Sequence, residues 1–171
     1  MAVESSFNVS NCFPEQTDVL VIGTGLAGCV AALMAAERGA QVTMITREEN
    51  PSQCNTRYAQ GGIIYQAREG DPDLLVKDIL EAGAGISWPP ACRILAEEGP
   101  RLVREILIDR FAVQFDQNEH GELDLTEEAA HAAPRIIHVE DLTGKSVEER
   151  ALAAVRAEKG ITLYNRATAV D

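Results

Sequence analysis

The sequence has few basic and few aromatic residues. It contains 15 lysines and arginines against 27 aspartates and glutamates, which gives a formal net charge of −12, and 5% of its residues are aromatic. A deficit of positive charge disfavours binding to nucleic acid or to an anionic membrane surface, so we expect neither partner. No apolar run reaches the roughly 18 residues that a membrane-spanning helix needs, so no membrane span is expected.

Cysteine is scarce and scattered. The four cysteines, Cys12, Cys29, Cys54 and Cys92, form no C-x-x-C pair. This spacing indicates neither a zinc site nor a disulfide framework. The N-terminus also lacks the cationic start and apolar run of a secretory signal. We therefore expect a cytoplasmic protein, with one domain in a chain of 171 residues.

The first structured part of the sequence has the pattern of a βαβ unit. Residues 1–16 are polar and rich in turn formers, and we expect a flexible leader there. Val19–Ile22 is a short β-branched run, typical of a strand buried on both faces. A helix is predicted over 26–38, with Gly39 at its C-cap, and a second strand over 41–46. This succession predicts an α/β, Rossmann-like fold with a parallel sheet.

Beyond this unit the pattern predicts further helices and strands. Trp88 is expected to pack against a helix start, and the acidic pairs 97–98, 127–128 and 148–149 to lie on solvated faces. A long loop is predicted over 47–70, with a short apolar segment at 63–65. Three helices follow: one from Asp71-Pro72 to Gly83, one opened by Ser87 and Pro89-Pro90 and broken at Gly99-Pro100, and one running to about Asp109. Residues 111–125 predict a hairpin or a strand with an exposed turn, and 126–134 an irregular segment. The last predicted elements are a short strand over 135–139, a helix over 143–159 stopped by Gly160, and a strand over 161–164.

A glycine-rich turn lies between the first predicted strand and the first predicted helix. Gly23-Thr24-Gly25-Leu26-Ala27-Gly28 matches the pattern G-x-G-x-x-G. The first glycine allows a tight turn, the second lets the backbone approach a pyrophosphate, and the third lets helix and strand pack closely. The helix N-terminus adds free N–H groups and a positive partial charge. The turn therefore predicts a site for an anionic dinucleotide.

The position that usually binds the ribose does not decide which dinucleotide is bound. An acid is usual about 20 residues beyond the glycines, at the end of the second strand. Here Thr46-Arg47 stand there, followed by Glu48 and Glu49. Arg47 suits a phosphate better than a ribose diol, and one of the glutamates could serve if the strand ends one residue later. From spacing alone, NAD, NADP and FAD all remain open.

A second loop resembles that of a known flavoprotein family. Asn55-Thr56-Arg57-Tyr58-Ala59-Gln60-Gly61-Gly62, continuing into Ile63, is similar to the flavin loop of the L-aspartate oxidase, fumarate reductase and succinate dehydrogenase flavoproteins. Paired glycines permit close approach of the backbone to a flat ring, and Thr56 and Gln60 can hydrogen-bond its polar edge. The resemblance implies FAD as cofactor. It also accommodates Thr46-Arg47, because this family tolerates a Ser/Thr followed by a basic residue there.

Within this family, the sequence is most similar to the members that oxidise L-aspartate. The similar segments are A-G-A-G at 82–85 and R-I-x-H with D-x-T-G between 135 and 144, whereas the weaker similarity at 113–116 and 169–171 is to the family as a whole. Asn55 stands where succinate dehydrogenases carry the histidine that attaches FAD, so the resemblance implies non-covalent FAD. It further implies L-aspartate as a dicarboxylate substrate, iminoaspartate as product, a place in quinolinate and NAD synthesis, and an interaction with quinolinate synthase. A fumarate reductase or succinate dehydrogenase type of flavoprotein and a non-catalytic flavin-binding remnant are the alternatives.

The resemblance also suggests a catalytic residue. In the oxidases the segment before R-I-x-H resembles R-E-G-G-H-S, with the glutamate near the substrate amino group, whereas this chain has Glu127-Glu128-Ala129-Ala130-His131-Ala132. Glu128 is therefore the catalytic candidate. Structural roles are expected for His131 and His138, and exposure for His120. Because family members run to several hundred residues, we expect residues 17–171 to be the N-terminal part of an FAD-binding domain, incomplete at the C-terminus and without the capping domain.

Overall fold

A computed structural model of the chain describes residue 14 and residues 16–67 and 72–170. Most of the expected leader, Cys12, the helix cap at Asp71 and the terminal Asp171 lie outside these residues. The elements, in chain order, are β1 (Val19–Ile22), α1 (Leu26–Ala36), β2 (Val42–Ile45), α2 (Asn55–Tyr58), β3 (Ile63–Ile64), α3 (Pro72–Ala82), α4 (Pro89–Leu102), a π-helical segment (Val103–Arg110), β4 (Ile136–Ile137), α5 (Thr143–Ala157) and β5 (Ile161–Tyr164). In the described part of the chain, no helix is both long enough and apolar enough to span a membrane.

The predicted parallel sheet is confirmed. Its three strands lie in the order β1-β2-β5, and both pairs are parallel. Helix α1 packs on β1 and β2 and contacts α5, which packs on β5. The core between sheet and helices contains Val21, Leu33, Met44, Val147 and Leu152, all buried. The βαβ unit is thus part of a Rossmann-like α/β fold.

Burial of the strands differs from the expectation at β1. All four residues of β2 are buried, as a central strand requires. In β1, however, Leu20 is 51% exposed and Ile22 is 65% exposed, whereas Val21 is buried. Successive side chains of a strand point to opposite faces, and α1 covers the face to which Val21 belongs. The prediction that β1 is buried on both faces is therefore wrong for the described chain.

A small antiparallel sheet lies beside the parallel one. Strands β3 and β4 pair with Ile63 opposite Ile137 and Ile64 opposite Ile136. The expected hairpin over 111–125 is present as a turn with one isolated bridge, between Gln117 and Leu123, rather than as a ladder. Phe111, Val113 and Phe115 are buried, and Leu123 and Leu125 are partly buried.

Three local predictions are wrong. Gly99-Pro100 does not break the helix, because α4 continues to Leu102 and runs directly into the π-helical segment. Pro100 lacks an N–H and its ring crowds the carbonyl of the preceding turn, but the helix continues in the wider i to i+5 register that follows. The 47–70 loop contains the four-residue helix α2. Trp88 precedes the first turn of α4 but is 68% exposed, so it does not pack there.

The acidic pairs also differ from one another. Glu97, Glu98, Glu127, Glu128 and Glu149 are exposed, as expected of solvated faces. Glu148 is 0% exposed, so the prediction is wrong for this residue. It follows the fully buried Val147 on the face of α5 that packs on the core, and it is considered further below.

Candidate functional site

The glycine turn has the geometry expected of a phosphate-binding turn. Gly23 has φ +106°, a conformation that favours glycine, and its N–H donates to the Ile45 carbonyl oxygen at 2.8 Å. A Cβ on Gly28 would lie 2.2 Å from the carbonyl oxygen of Gly23. The third glycine therefore permits the close packing of α1 on the turn. Thr24 is buried, and its hydroxyl donates to the Pro51 carbonyl oxygen at 2.6 Å, so this side chain supports the turn from within.

The N-terminus of α1 is available to an anion. Gly25 is its N-cap residue and, having no side chain, does not cap the helix itself. The Leu26 N–H donates to Thr56 Oγ1 at 3.0 Å. The N–H groups of Ala27 and Gly28 have no acceptor within a helix that begins at this point. The first turn contains no acidic residue, so its positive partial charge is not compensated locally.

A cavity of about 470 Å³ opens beside this turn. It lies at the carboxyl ends of the parallel strands, where open α/β sheets bind ligands. Its lining comes from the turn, from the end of β2, from the start of α2 and from the segment after β5, namely Ile22, Gly23, Thr24, Gly25, Ile45, Thr46, Arg47, Glu48, Gln53, Cys54, Asn55, Thr56, Ala167, Thr168 and Ala169.

The structure brings together only part of the predicted cofactor set. Seven of the predicted residues line the cavity, namely Gly23, Thr24, Gly25, Thr46, Arg47, Asn55 and Thr56. Leu26, Ala27 and Gly28 continue from it into α1, and the flavin-loop residues from Arg57 to Gly62 lie beyond its lining. Arg47 is exposed and pairs with Glu48 at 3.0 Å, so both charge signs are present at the end of β2.

The flavin loop is held by backbone contacts. A Cβ on Gly62 would lie 2.5 Å from the Ile137 carbonyl oxygen, so this glycine permits packing on β4. A Cβ on Gly144, at the start of α5, would lie 2.1 Å from the Thr56 carbonyl oxygen and 2.5 Å from that of Ala59. Gly61 has φ +76°. Protein atoms occupy the space beside Gly62 in the loop and beside Gly144 on α5. Gly61 is therefore the glycine of the loop that leaves room for close approach of a ligand.

The candidate catalytic residue lies next to this loop. Glu128 is exposed, and its Oε1 is 3.5 Å from the position that a Cβ on Gly61 would occupy. Two residues later, Ala130 has φ +70°, a left-handed conformation that glycine adopts more readily. Ala130 stands where the oxidase pattern has its second glycine. The backbone therefore keeps a glycine-like path although the side chain has changed.

Comparison with known proteins agrees with this geometry. Residues 18–171 match the profile of the FAD binding domain family. The chain belongs to this family. The cofactor of the domain is accordingly FAD, as the turn, the α1 N-terminus and the cavity allow.

The curated relatives of this FAD-binding domain include L-aspartate oxidases. The enzyme of Halobacterium salinarum is 41% identical over 155 residues, and that of Clostridium acetobutylicum is 38% identical over 156 residues. In each comparison 91% of this chain is covered, but only 30% and 35% of the relatives. The chain thus spans about a third of the length of these relatives.

Solved structures confirm the fold of the domain. The Sdh1 complex of Mycobacterium smegmatis in its apo form matches with a TM-score of 0.80 and 24% identity, over 88% of this chain and 27% of that one. A quinol-fumarate reductase structure with menaquinol molecules matches with a TM-score of 0.80 and 18% identity, over 88% and 26%. At these identities the likeness establishes the fold alone.

A buried ion pair fixes the segment that carries Glu128. Arg135 Nη1 lies 3.1 Å from Asp78 Oδ2, and the two side chains are 1% and 9% exposed. Asp78 also accepts a hydrogen bond from the Ala132 N–H at 3.0 Å. Helix α3 therefore holds both the start of β4 and the end of the 128–132 segment. His131 is half-buried nearby and its N–H donates to the Glu128 carbonyl oxygen at 3.2 Å, which fits a structural role.

Three titratable residues lie together here: the half-buried Cys54, which lines the cavity, and the buried Cys29 and Glu148. Burial, and after it the Glu148 charge, raises the pKa of Cys29 to about 12. Burial also raises the pKa of the Cys54 thiol. Burial raises the pKa of Glu148, against the lowering effects of Cys54 and of the Arg57 charge. Each of these groups is therefore shifted towards its neutral form or kept in it.

Sequence reasoning missed several residues of the cavity. Gln53 and Cys54 lie just before α2, and Ala167 and Thr168 lie just after β5. The rule that ligands bind at the carboxyl ends of parallel strands would have indicated Ala167 and Thr168, because β5 was predicted correctly. Cys54 was considered only as a metal or disulfide candidate. Its place beside the glycine turn depends on how the 47–54 loop folds.

Proposed function

We propose that this chain is the FAD-binding N-terminal portion of a flavoprotein that oxidises L-aspartate to iminoaspartate. The observation that carries the proposal is the open α1 N-terminus at a cavity whose lining includes the start of the flavin loop. The identity with L-aspartate oxidases over 91% of the chain supports this substrate over others. The activity is named for the relatives, of which this chain covers 30% and 35%. The domain limits, 17–171 after a leader of 16 residues, are part of the proposal.

The proposed FAD site divides into two regions. The N–H groups of Ala27 and Gly28 suit the pyrophosphate, because they carry the positive end of α1. Arg47 and Glu48, at the end of β2, suit the adenosine end, where one offers donors and the other acceptors. The rest of the set, Asn55 to Gly62, is assigned to the flavin end by resemblance. Asn55 has no nucleophilic side chain, which supports non-covalent attachment.

The residues of the chain would bind and orient, and FAD would supply the redox chemistry. Bound FAD provides an acceptor for the hydride that leaves the substrate α-carbon. Glu128 is exposed beside Gly61, and its carboxylate could accept a hydrogen bond from the substrate ammonium group. The carboxylates of the substrate need cationic groups, which we expect from the parts of the relatives that this chain does not match. The interaction with quinolinate synthase and the cytoplasmic location remain predictions.

A flavin titration tests the cofactor site directly. FAD fluorescence would be followed as purified chain is added, and we expect saturable quenching. Gly25→Leu should abolish it, because a Cβ at this position already lies 3.1 Å from Thr56 Oγ1 and a larger group would fill the cavity. Gly99→Leu is the matched control, since its Cβ would meet no atom within 4 Å. Equal quenching by both variants would contradict the site.

A longer version of the protein tests the substrate. Its reduction of bound FAD would be measured with L-aspartate and with succinate, which lacks the amino group. We expect reduction by L-aspartate, weakened by Glu128→Gln, and none by succinate. Preference for succinate would support the fumarate reductase type instead. Flavin binding without reduction by either compound would support the non-catalytic remnant, which the altered segment at Ala129 and Ala130 favours.

A further inference from the structure

Glu148 is a buried acid that the proposed chemistry does not use. It is 0% exposed on α5, and neither carboxyl oxygen has a hydrogen-bond partner in the structure as described. An ionised carboxylate without partners is very costly in such surroundings, whereas a protonated one costs far less. The burial of Glu148 therefore favours the neutral acid, and its raised pKa agrees.

Two segments of the proposed FAD site lie close to this side chain. From the segment before α2, the Cys54 thiol lies beside the Glu148 carboxyl. Cys54 Sγ is also 3.9 Å from the position of a Cβ on Gly25. On α1, the buried Cys29 lies close enough to Glu148 for the carboxylate charge to raise its pKa. The Cys29 thiol donates to the Thr24 carbonyl oxygen at 3.1 Å. Glu148 thus lies beneath the glycine turn.

The cation that acts on Glu148 also pairs with another acid. Arg57, on α2, lowers the pKa of Glu148 less than burial raises it. Its Nη1 pairs with the exposed Glu149 at 3.3 Å. The groups that face Glu148 are therefore Cys29, Cys54 and Arg57. Loss of the Glu148 proton would add a negative charge beneath a site assigned to a pyrophosphate.

We propose that Glu148 is a positioning residue for the cofactor: its protonated carboxyl supports Cys54 and the start of α2 against the glycine turn, and its ionisation weakens dinucleotide binding. The inference rests on the proposed FAD site. A neutral carboxyl can be buried beside Cys54 at far lower cost than a charged one, which lets the 54–56 stretch pack where Thr56 meets Leu26. The charged form is costly to bury there, and it would repel the phosphates.

The first test is FAD affinity as a function of pH. The dissociation constant would be measured in steps from about pH 5 to about pH 9 for the wild-type chain, Glu148→Gln and Glu149→Gln. One like charge near the phosphates is expected to weaken wild-type binding about tenfold over this range. Glu149→Gln, which removes the same charge from an exposed neighbour, should show the same change. Glu148→Gln should bind equally across the range, because its amide carries no charge at any of these pH values.

The second test needs no FAD. A folded-state pKa above the ordinary value of 4.5 stabilises the fold fully below that value, and the contribution is lost as pH rises through the folded pKa. The wild-type chain should therefore lose stability towards urea, relative to Glu148→Gln, as pH rises above 4.5. If that variant does not fold, carbon-13 NMR of glutamate-labelled wild-type chain should still show one carboxyl that titrates above the others.

The outcomes separate the two proposals. Absence of FAD binding by every variant would overturn the FAD site, and the inference with it. Binding with the same pH dependence in wild type and Glu148→Gln would overturn the inference alone. A carboxyl NMR spectrum in which all glutamates titrate together would also overturn it. Binding that depends on pH only when Glu148 is present would support both proposals.

Discussion

Replacing Asp78 by asparagine should remove a large part of the stability of this domain. The variant keeps the shape of the side chain and an oxygen that can accept the Ala132 N–H, so it removes little except the charge. Arg135, 1% exposed, would then be a buried cation without its counter-charge. Two unit charges 3.1 Å apart attract by roughly 5 kcal/mol at an effective dielectric constant of about 20. Breaking one side of a buried pair typically costs about 3–5 kcal/mol.

Urea unfolding followed by circular dichroism would measure this loss. With an m-value near 2 kcal/mol/M for a chain of this size, the midpoint should fall by about 1.5–2.5 M. Asp73→Asn is the matched control, because it lies on the same helix and its ion pair with Arg93 is exposed. Exposed pairs contribute far less, since water screens them.

The double variant Asp78→Leu with Arg135→Met sharpens the test. Replacing both charges by apolar groups of similar size should restore most of the stability, because no buried charge is left unpaired. A loss below about 1 kcal/mol for Asp78→Asn alone would refute the reasoning, since it would mean that Arg135 is solvated without Asp78. If Asp78→Asn does lower the stability, reduction of bound flavin in a longer version of the protein should also become slower, because Asp78 holds the segment that carries Glu128.

Substitutions and thiol labelling test the contacts around the site. Gly28→Ala and Gly144→Ala should each lower the unfolding free energy by about 1–3 kcal/mol, because each added Cβ would clash with a backbone carbonyl oxygen. Unchanged urea midpoints would contradict this. Ala130→Gly should raise stability by up to about 1 kcal/mol by relieving the left-handed φ, and a decrease would show that the strain is absent. With its pKa raised to about 12, Cys29 should resist iodoacetamide at about pH 8 until the chain unfolds. Mass spectrometry that finds Cys29 labelled as fast as Cys54 would contradict its burial.

Local patterns were sufficient to predict the framework of the site. The β-branched run of β1, the glycine turn, the small residues of α1 and the strand β2 follow one another within about 30 residues, so their order alone defines the βαβ unit. Strand β5 was also predicted with its observed limits, Ile161–Tyr164. The flavin loop was found through resemblance, and the structure shows why its sequence is restricted: Gly62 and Gly144 meet backbone atoms of other segments.

Features that depend on distant contacts were predicted poorly. Glu148 was assigned to solvent because it stands beside a second glutamate, although the helical period indicates otherwise. It lies four residues after Gly144 and four before Leu152, both buried, so it belongs to the inward stripe of α5. The exposure of Leu20 and the continuation of α4 past Pro100 could not be read from local patterns. They depend on which face is covered and on the register that follows the proline.

Residues around the proposed FAD site are of two kinds: glycines that let backbone segments pack closely, and residues whose exposed side chains line the cavity. Gly28 and Gly144 set distances between backbones, so changing either should weaken FAD binding and stability together. Arg47 lines the cavity with an exposed side chain whose ion partner, Glu48, is its neighbour in sequence. Arg47→Ala should therefore weaken FAD binding several-fold while the urea midpoint stays unchanged. Parallel loss of affinity and stability in Arg47→Ala would mean that the end of β2 supports the fold rather than the ligand, and the adenosine end would have to be assigned elsewhere in the cavity.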